Sequence, residues 1–342
     1  MKPLSLLVVL TLSLTAFGQQ ASRERGRFSI QGGAPSVLTV DNSCKYVLAA
    51  FDSGMVVVFP MDQKTVALHC FSSNKKAVTG AAFAPDGKTF IMSSADGTVK
   101  YWDVLAARKH HMEMEKSSDS KPTNPTPVKT INAHLGGSVT SMSLSPDGKT
   151  LLTTGSDNTL KVWEVEEGKL VNTVKDVHGV GGIKAVLFAP DGKHFATAGG
   201  DKSAKLWELQ EAGPKMLFKL DGHEGAVNAI SFSPDGKHLA TGSGVVKKSG
   251  SIRIWDTETG KVEYKLEGPE DNVTAVLFSL KGDLLASGGY DLKIRVWNLA
   301  DKTQKYADDH AEPLRGLMNS PDGKYMGTIS KTAIRWWAGL GK

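Results

Sequence analysis

Two stretches of the 342-residue sequence bring together residue types that could do nucleophilic chemistry. His134, Thr154, Asp157 and Trp163 form one set; His178, Thr197, Asp201 and Trp207 form the other. A hydroxyl, an imidazole and a carboxylate are the parts of an acyl-transfer triad, in which His takes the hydroxyl proton and Asp orients the ring. A triad is needed once per active site, however, and here the set recurs at nearly the same spacing. Recurrence points to a structural part copied with its unit, so no catalytic residue is assigned. The run His110-His111-Met112-Glu113-Met114-Glu115 contains metal-ligand types. Adjacent ligands without a second cluster make a poor site, and neither a metal nor another cofactor is expected. Asn272-Val273-Thr274 has the form of a glycosylation acceptor. Cys44 and Cys70 are the only cysteines, too few for a disulfide framework, and whether they are bridged is left open.

These sets belong to a larger repeat. Pro-Asp-Gly-Lys stands at 85–88, 146–149, 190–193, 234–237 and 321–324, with the weaker copies Leu280-Lys281-Gly282-Asp283 and Asn42-Ser43-Cys44-Lys45. The seven marker residues are therefore Ser43, Asp86, Asp147, Asp191, Asp235, Lys281 and Asp322, and one unit is about 43 residues. Sixteen residues after the marker come Phe59, Trp102, Trp163, Trp207 and Trp297; Trp255 follows at twenty and Trp337 at fifteen. Within a unit, apolar runs such as Ile183–Phe188 and His194–Ala198 flank the Pro-Asp-Gly turn. Proline presets the first turn position and glycine accepts a positive φ. Strands apolar on both faces are expected where each small sheet packs between two others.

The pattern His…Ser-Pro-Asp-Gly-Lys…Gly-Ser-Asp…Val-Trp resembles the WD40 repeat and covers essentially all of residues 19–342. The resemblance implies an all-β fold: a seven-bladed β-propeller of four-stranded antiparallel blades, its ring closed by an N-terminal strand at Arg27–Ile30 pairing with Ala333–Ala338. It also implies that His134, Thr154, Asp157, Trp163 and His178, Thr197, Asp201, Trp207 are hydrogen-bonded tetrads that stabilise their blades. Blade five has Ser249 where the Asp is expected, and blade six has Pro269 near the His position. Blade one keeps neither polar partner, so blades one, five and seven are expected to be the softest. Residues 106–128 are read as an inserted loop in blade two.

Residues 1–18 read as a signal peptide: Lys2, the apolar run Leu4–Leu14 and the small-x-small triplet Ala16-Phe17-Gly18. Cleavage near Gly18 and a secreted or periplasmic location are expected. The apolar stretch is shorter than the roughly 20 residues of a membrane span, so none is expected. The net charge of +5, without a basic stretch interleaved with aromatics, argues against nucleic acid. In WD40 proteins the face bearing the connections between blades often binds peptides. The residues seven before each marker, Ser36, Thr79, Thr140, Lys184, Asn228, Thr274 and Arg315, should ring the channel mouth there. This ring is polar, with two cations and no carboxylate. The expected function is a non-catalytic protein-interaction platform, acting as a monomer on a protein or peptide partner with an acidic segment. A propeller hydrolase or lactonase and a purely structural module are the alternatives.

Overall fold

A computed structural model describes residues 24–28, 33–60, 69–72, 76–106 and 126–338. The backbone forms seven four-stranded antiparallel sheets, the blades of a propeller. In six of them the strand order follows the chain, from an innermost strand at the channel to an outermost strand at the rim. Blade seven takes three strands from the C-terminal end (Gly316–Asn319, Tyr325–Ile329, Ile334–Ala338) and its fourth, Glu24–Phe28, from the N-terminal end. That strand is antiparallel to Ile334–Ala338, with Arg27 opposite Arg335 and Phe28 opposite Ile334. It covers a sheet edge that would otherwise be open to pairing. Residues 29 and 30 of the segment expected to do this lie outside the described residues, as do residues 1–18, expected to be a signal peptide.

Burial explains why the strands lack clean alternation. The second strand of blade three, Thr150–Gly155, is buried at every position after its first, whereas the rim strand Lys169–Val174 is largely exposed. Each core cluster joins two blades. Leu152 and Val162 of blade three pack with Val186, Phe188, Phe195 and Trp207 of blade four. The seam is sealed in the same way, by Leu38 and Val47 of blade one against Ile329 and Trp336 of blade seven. Fully burying one such aliphatic or aromatic side chain is worth about 1.5–3 kcal/mol.

The Pro-Asp-Gly-Lys turns do more than reverse the chain. Asp147 Oδ1 accepts from Ser145 Oγ at 2.6 Å and from the Lys149 amide at 3.0 Å. Gly148 has φ +74°, and a Cβ built there would meet Pro85 Cδ of the preceding turn at 2.6 Å. The glycine thus serves the positive φ and the close approach of the neighbouring blade. In blade two, strand pairing continues on both sides of the insertion: the Val128 amide donates to Tyr101 O at 2.8 Å. Residues 107–125, which include the His110–Glu115 run, lie outside the described residues.

Candidate functional site

The two candidate triads are networks in which the histidine, the hydroxyl and the indole are buried and the carboxylate reaches the surface. In blade four, His178 Nδ1 lies 2.8 Å from Asp201 Oδ1 and His178 Nε2 lies 2.8 Å from Thr197 Oγ1. Trp207 Nε1 donates to the same hydroxyl at 3.0 Å. One proton arrangement satisfies every group: Nδ1–H donates to the carboxylate, the threonine hydroxyl donates to Nε2, and its oxygen accepts from the indole. This is the polarity of a catalytic triad, but His178 and Thr197 are 0% exposed and the indole occupies the hydroxyl's free side. No substrate can reach the oxygen, so neither constellation can work as a nucleophile.

Blade three repeats the network with one correction. His134 Nε2 and Trp163 Nε1 meet on Thr153 Oγ1, at 3.1 and 2.9 Å, and not on Thr154. His134 Nδ1 lies 3.0 Å from Asp157 Oδ2. Successive strand residues face opposite sides of a sheet, so a slip of one position selects the wrong face. Thr154 turns instead to Thr140 Oγ1, 2.9 Å away. Burial pushes both imidazoles below the usual histidine range against the opposing pull of Asp157 and Asp201, which keeps them neutral at pH 7.

Other blades replace the carboxylate with different parts. In blade five, His223 Nε2 and Trp255 Nε1 share Thr241 Oγ1 at 2.7 and 2.8 Å. His223 Nδ1 meets Ser243 Oγ at 2.6 Å, so Ser243 and not Ser249 fills the partner's place. The reason is that this blade's hairpin is longer: its strands remain paired through Val245 opposite Ser249. Burial, with Arg253 and Lys265 adding positive charge, lowers the His223 pKa to about 3. Blade six lacks the histidine, and Asp291 Oδ2 instead pairs with Arg295 Nη1 at 2.5 Å, both side chains 4% exposed. In blades six and seven the indoles of Trp297 and Trp337 donate to Ser287 and Thr328.

One repeated residue is absent from the motif-based reading. Lys161 Nζ donates to Ala133 O, the carbonyl just before His134, at 2.6 Å. Lys205 and Arg253 do the same for Val177 O and Gly222 O, just before His178 and His223. Each cation stands two residues before its tryptophan, and the sequence carries Lys100, Arg295 and Arg335 at the same offset. That offset was the available signal: a charge on an otherwise buried third strand needs a partner.

The residues expected to ring the channel mouth share a repeated distortion of the sheet. In blades one to six the pairing of the innermost and second strands shifts register across Ser36, Thr79, Thr140, Lys184, Asn228 and Thr274. A bulge leaves its extra residue outside the ladder and re-aims its side chain. Arg315 stands just before the innermost strand of blade seven, its amide donating to Ile329 O. The smaller ring residues are satisfied locally: Thr79 by Ser93 at 3.0 Å, and Asn228 by Asn272 of the next blade at 2.9 Å. Thr274 donates to Leu314 O, so in the 272–274 triplet the threonine hydroxyl and the Asn272 side-chain carbonyl oxygen are both hydrogen-bonded. Lys184 and Arg315 are exposed. On the connections leading into blades three and four, at this same end, Leu135 is 81% and Val180 93% exposed.

Seven four-stranded blades, with an indole–hydroxyl pair in blades three to seven and a histidine on the same hydroxyl in blades three to five, define a repeat propeller. The family model described as "WD domain, G-beta repeat" matches residues 65–103, 125–164, 168–208, 214–256 and 260–298, and the chain belongs to the WD40 family. Among curated proteins it is similar to cilia- and flagella-associated protein 52 of Sus scrofa, 23% identical over 41% of this chain and 26% of that protein. It is also similar to pre-mRNA-processing factor 17 of Saccharomyces cerevisiae, 24% identical over 32% of this chain and 30% of the relative. A third is the pre-rRNA-processing protein crb3/ipi3 of Schizosaccharomyces pombe, at 26% over 38% and 28%. The chain thus spans under a third of the length of each of these relatives. Their named roles belong to cilia, flagella and RNA processing, inside the cell, and this overturns the secreted or periplasmic location expected from the N-terminal residues. No helix among the described residues is long and apolar enough to cross a membrane.

Proposed function

We propose that this protein is an interaction scaffold that holds an acidic segment of a partner protein against the channel mouth. Lys184 and Arg315 supply the charge contacts, and Leu135 and Val180 supply apolar surface at the same end. The observation that carries the reading is the ring itself: a bulge re-aims one side chain in each of six blades, and the only charged members of the ring are cations. Re-aiming a residue away from the ladder is a device found beside functional sites. The ring offers hydroxyls, an amide and two cations where a metal-dependent hydrolase needs converging carboxylates. An arginine can hold a partner carboxylate through two parallel N–H bonds, and a lysine acts as a point charge.

Affinity capture from cell extract with the intact chain and with a Lys184→Glu/Arg315→Glu variant tests this reading. The expected result is a partner held by the former and weakened at least about tenfold in the latter, with unchanged circular dichroism. Its binding should also weaken as salt rises, since exposed charges are screened. A partner held equally by both proteins would remove the mouth from the reading.

A further inference from the structure

A second surface lies at the opposite end of the propeller, between blades four and five. A cavity of about 440 Å³ opens there among the turns that join innermost to second strands. Its floor is apolar, made by Leu206, Leu217, Phe218 and Phe232. Its rim carries the carboxylates of Asp191, Asp235 and Glu258 against the single lysine Lys237. His194 also lines it, and its Nδ1 lies 2.6 Å from Asp191 Oδ2. The geometry is fixed by the backbone. The Thr257 amide donates to Lys237 O at 2.9 Å, and Thr257 Oγ1 to Gly236 O at 2.8 Å, tying two turns of blade five together. Asp235 Oδ1 accepts from Ser233 Oγ at 2.6 Å and keeps its second oxygen available.

We propose that this groove is a docking site, separate from the mouth, for an arginine side chain presented by an amphipathic segment of a partner protein. Charge selects a cation: three carboxylates face one lysine, and the histidine is already held by Asp191. The floor selects arginine over lysine, because a guanidinium can lie flat on a phenyl face while its edge donates to a carboxylate, and a compact ammonium cannot do both. The volume falls in the range of pockets that enclose a small ligand, which accommodates the arginine together with an apolar neighbour.

The test uses the acetylated, amidated tripeptide Leu-Arg-Leu as probe, with Leu-Glu-Leu as the comparison, titrated into the full chain and followed by the His194 imidazole resonances. Leu-Arg-Leu is expected to shift them at millimolar concentration and Leu-Glu-Leu to leave them in place. Glu258→Lys should weaken the Leu-Arg-Leu response about tenfold and Lys237→Glu should strengthen it, both exposed positions that leave the melting curve unchanged. Lys184→Glu/Arg315→Glu should have no effect, which separates this site from the mouth. Equal response to the two peptides, no response to either, or indifference to both rim substitutions would overturn the proposal.

Discussion

Thr153 and Thr154 are chemically identical neighbours, both fully buried, and only the face each presents decides which one the blade depends on. Thr153 serves two donors or acceptors at once, His134 Nε2 and Trp163 Nε1. Replacing it with valine keeps the shape and leaves both of those atoms unpaired in the core. Each such buried group costs about 1–3 kcal/mol, so Thr153→Val should destabilise by about 2–4 kcal/mol. Thr154→Val loses its bond to Thr140 and should cost about 1 kcal/mol. Urea unfolding of the two variants gives the comparison; equal costs, or the reverse order, would overturn the corrected tetrad. The distinction was legible. Thr197, Ser287 and Thr153 each stand ten residues before their tryptophan, so counting back from the indole selects Thr153, whereas matching residue types alone admits Thr154.

At the scale of the blade, what repeats could be read and what was replaced could not. The turn and the tryptophan recur in register, so seven blades and their strand boundaries follow from spacing, and positions counted back from the turn mark the bulged ring residues. Substituted partners come from elsewhere in the unit. In blade five a longer hairpin brings Ser243 to the histidine, and in blade six Arg295 reaches from its strand to Asp291 in the preceding turn, four residues away. Neither relation is visible in a motif that looks for Asp at a fixed place. The blade-six pair predicts a specific energetic pattern. Breaking a buried ion pair by removing one member costs about 3–5 kcal/mol, because the other charge is left without compensation. Arg295→Met should therefore be more damaging alone than in combination with Asp291→Asn. Guanidinium unfolding of both single variants and the double variant measures the coupling; strictly additive losses would show that the pair does not act as one unit.

Over the whole molecule the blades are unequal, and the inequality concentrates at the seam. Blades three to five hold a histidine, a hydroxyl and an indole in one network, whereas blade one has Ala49 ten residues before Phe59 and no polar partner there. Blade seven is assembled from both ends of the chain, and the family model matches none of its strands nor the first three of blade one. Ring closure must then rest on apolar packing across the seam and on the pairing of Glu24–Phe28 with Ile334–Ala338. Blade five, expected from its missing Asp to be soft, has its histidine satisfied by Ser243 and should behave like its neighbours. Local opening free energies differ across a fold according to such contacts, and amide exchange reads them strand by strand. Exchange should be faster in Tyr46–Phe51 and Tyr325–Ile329 than in the equivalent strands Thr150–Gly155 and His194–Gly199. Deleting Glu24–Phe28 should widen that gap and lower the melting temperature, because the outer edge of Ile334–Ala338 is left unpaired. Uniform protection of all four strands in the intact chain would mean that inter-blade packing alone makes the ring one cooperative unit. In that case the buried polar networks would set the geometry of each blade without setting the order in which the ring opens.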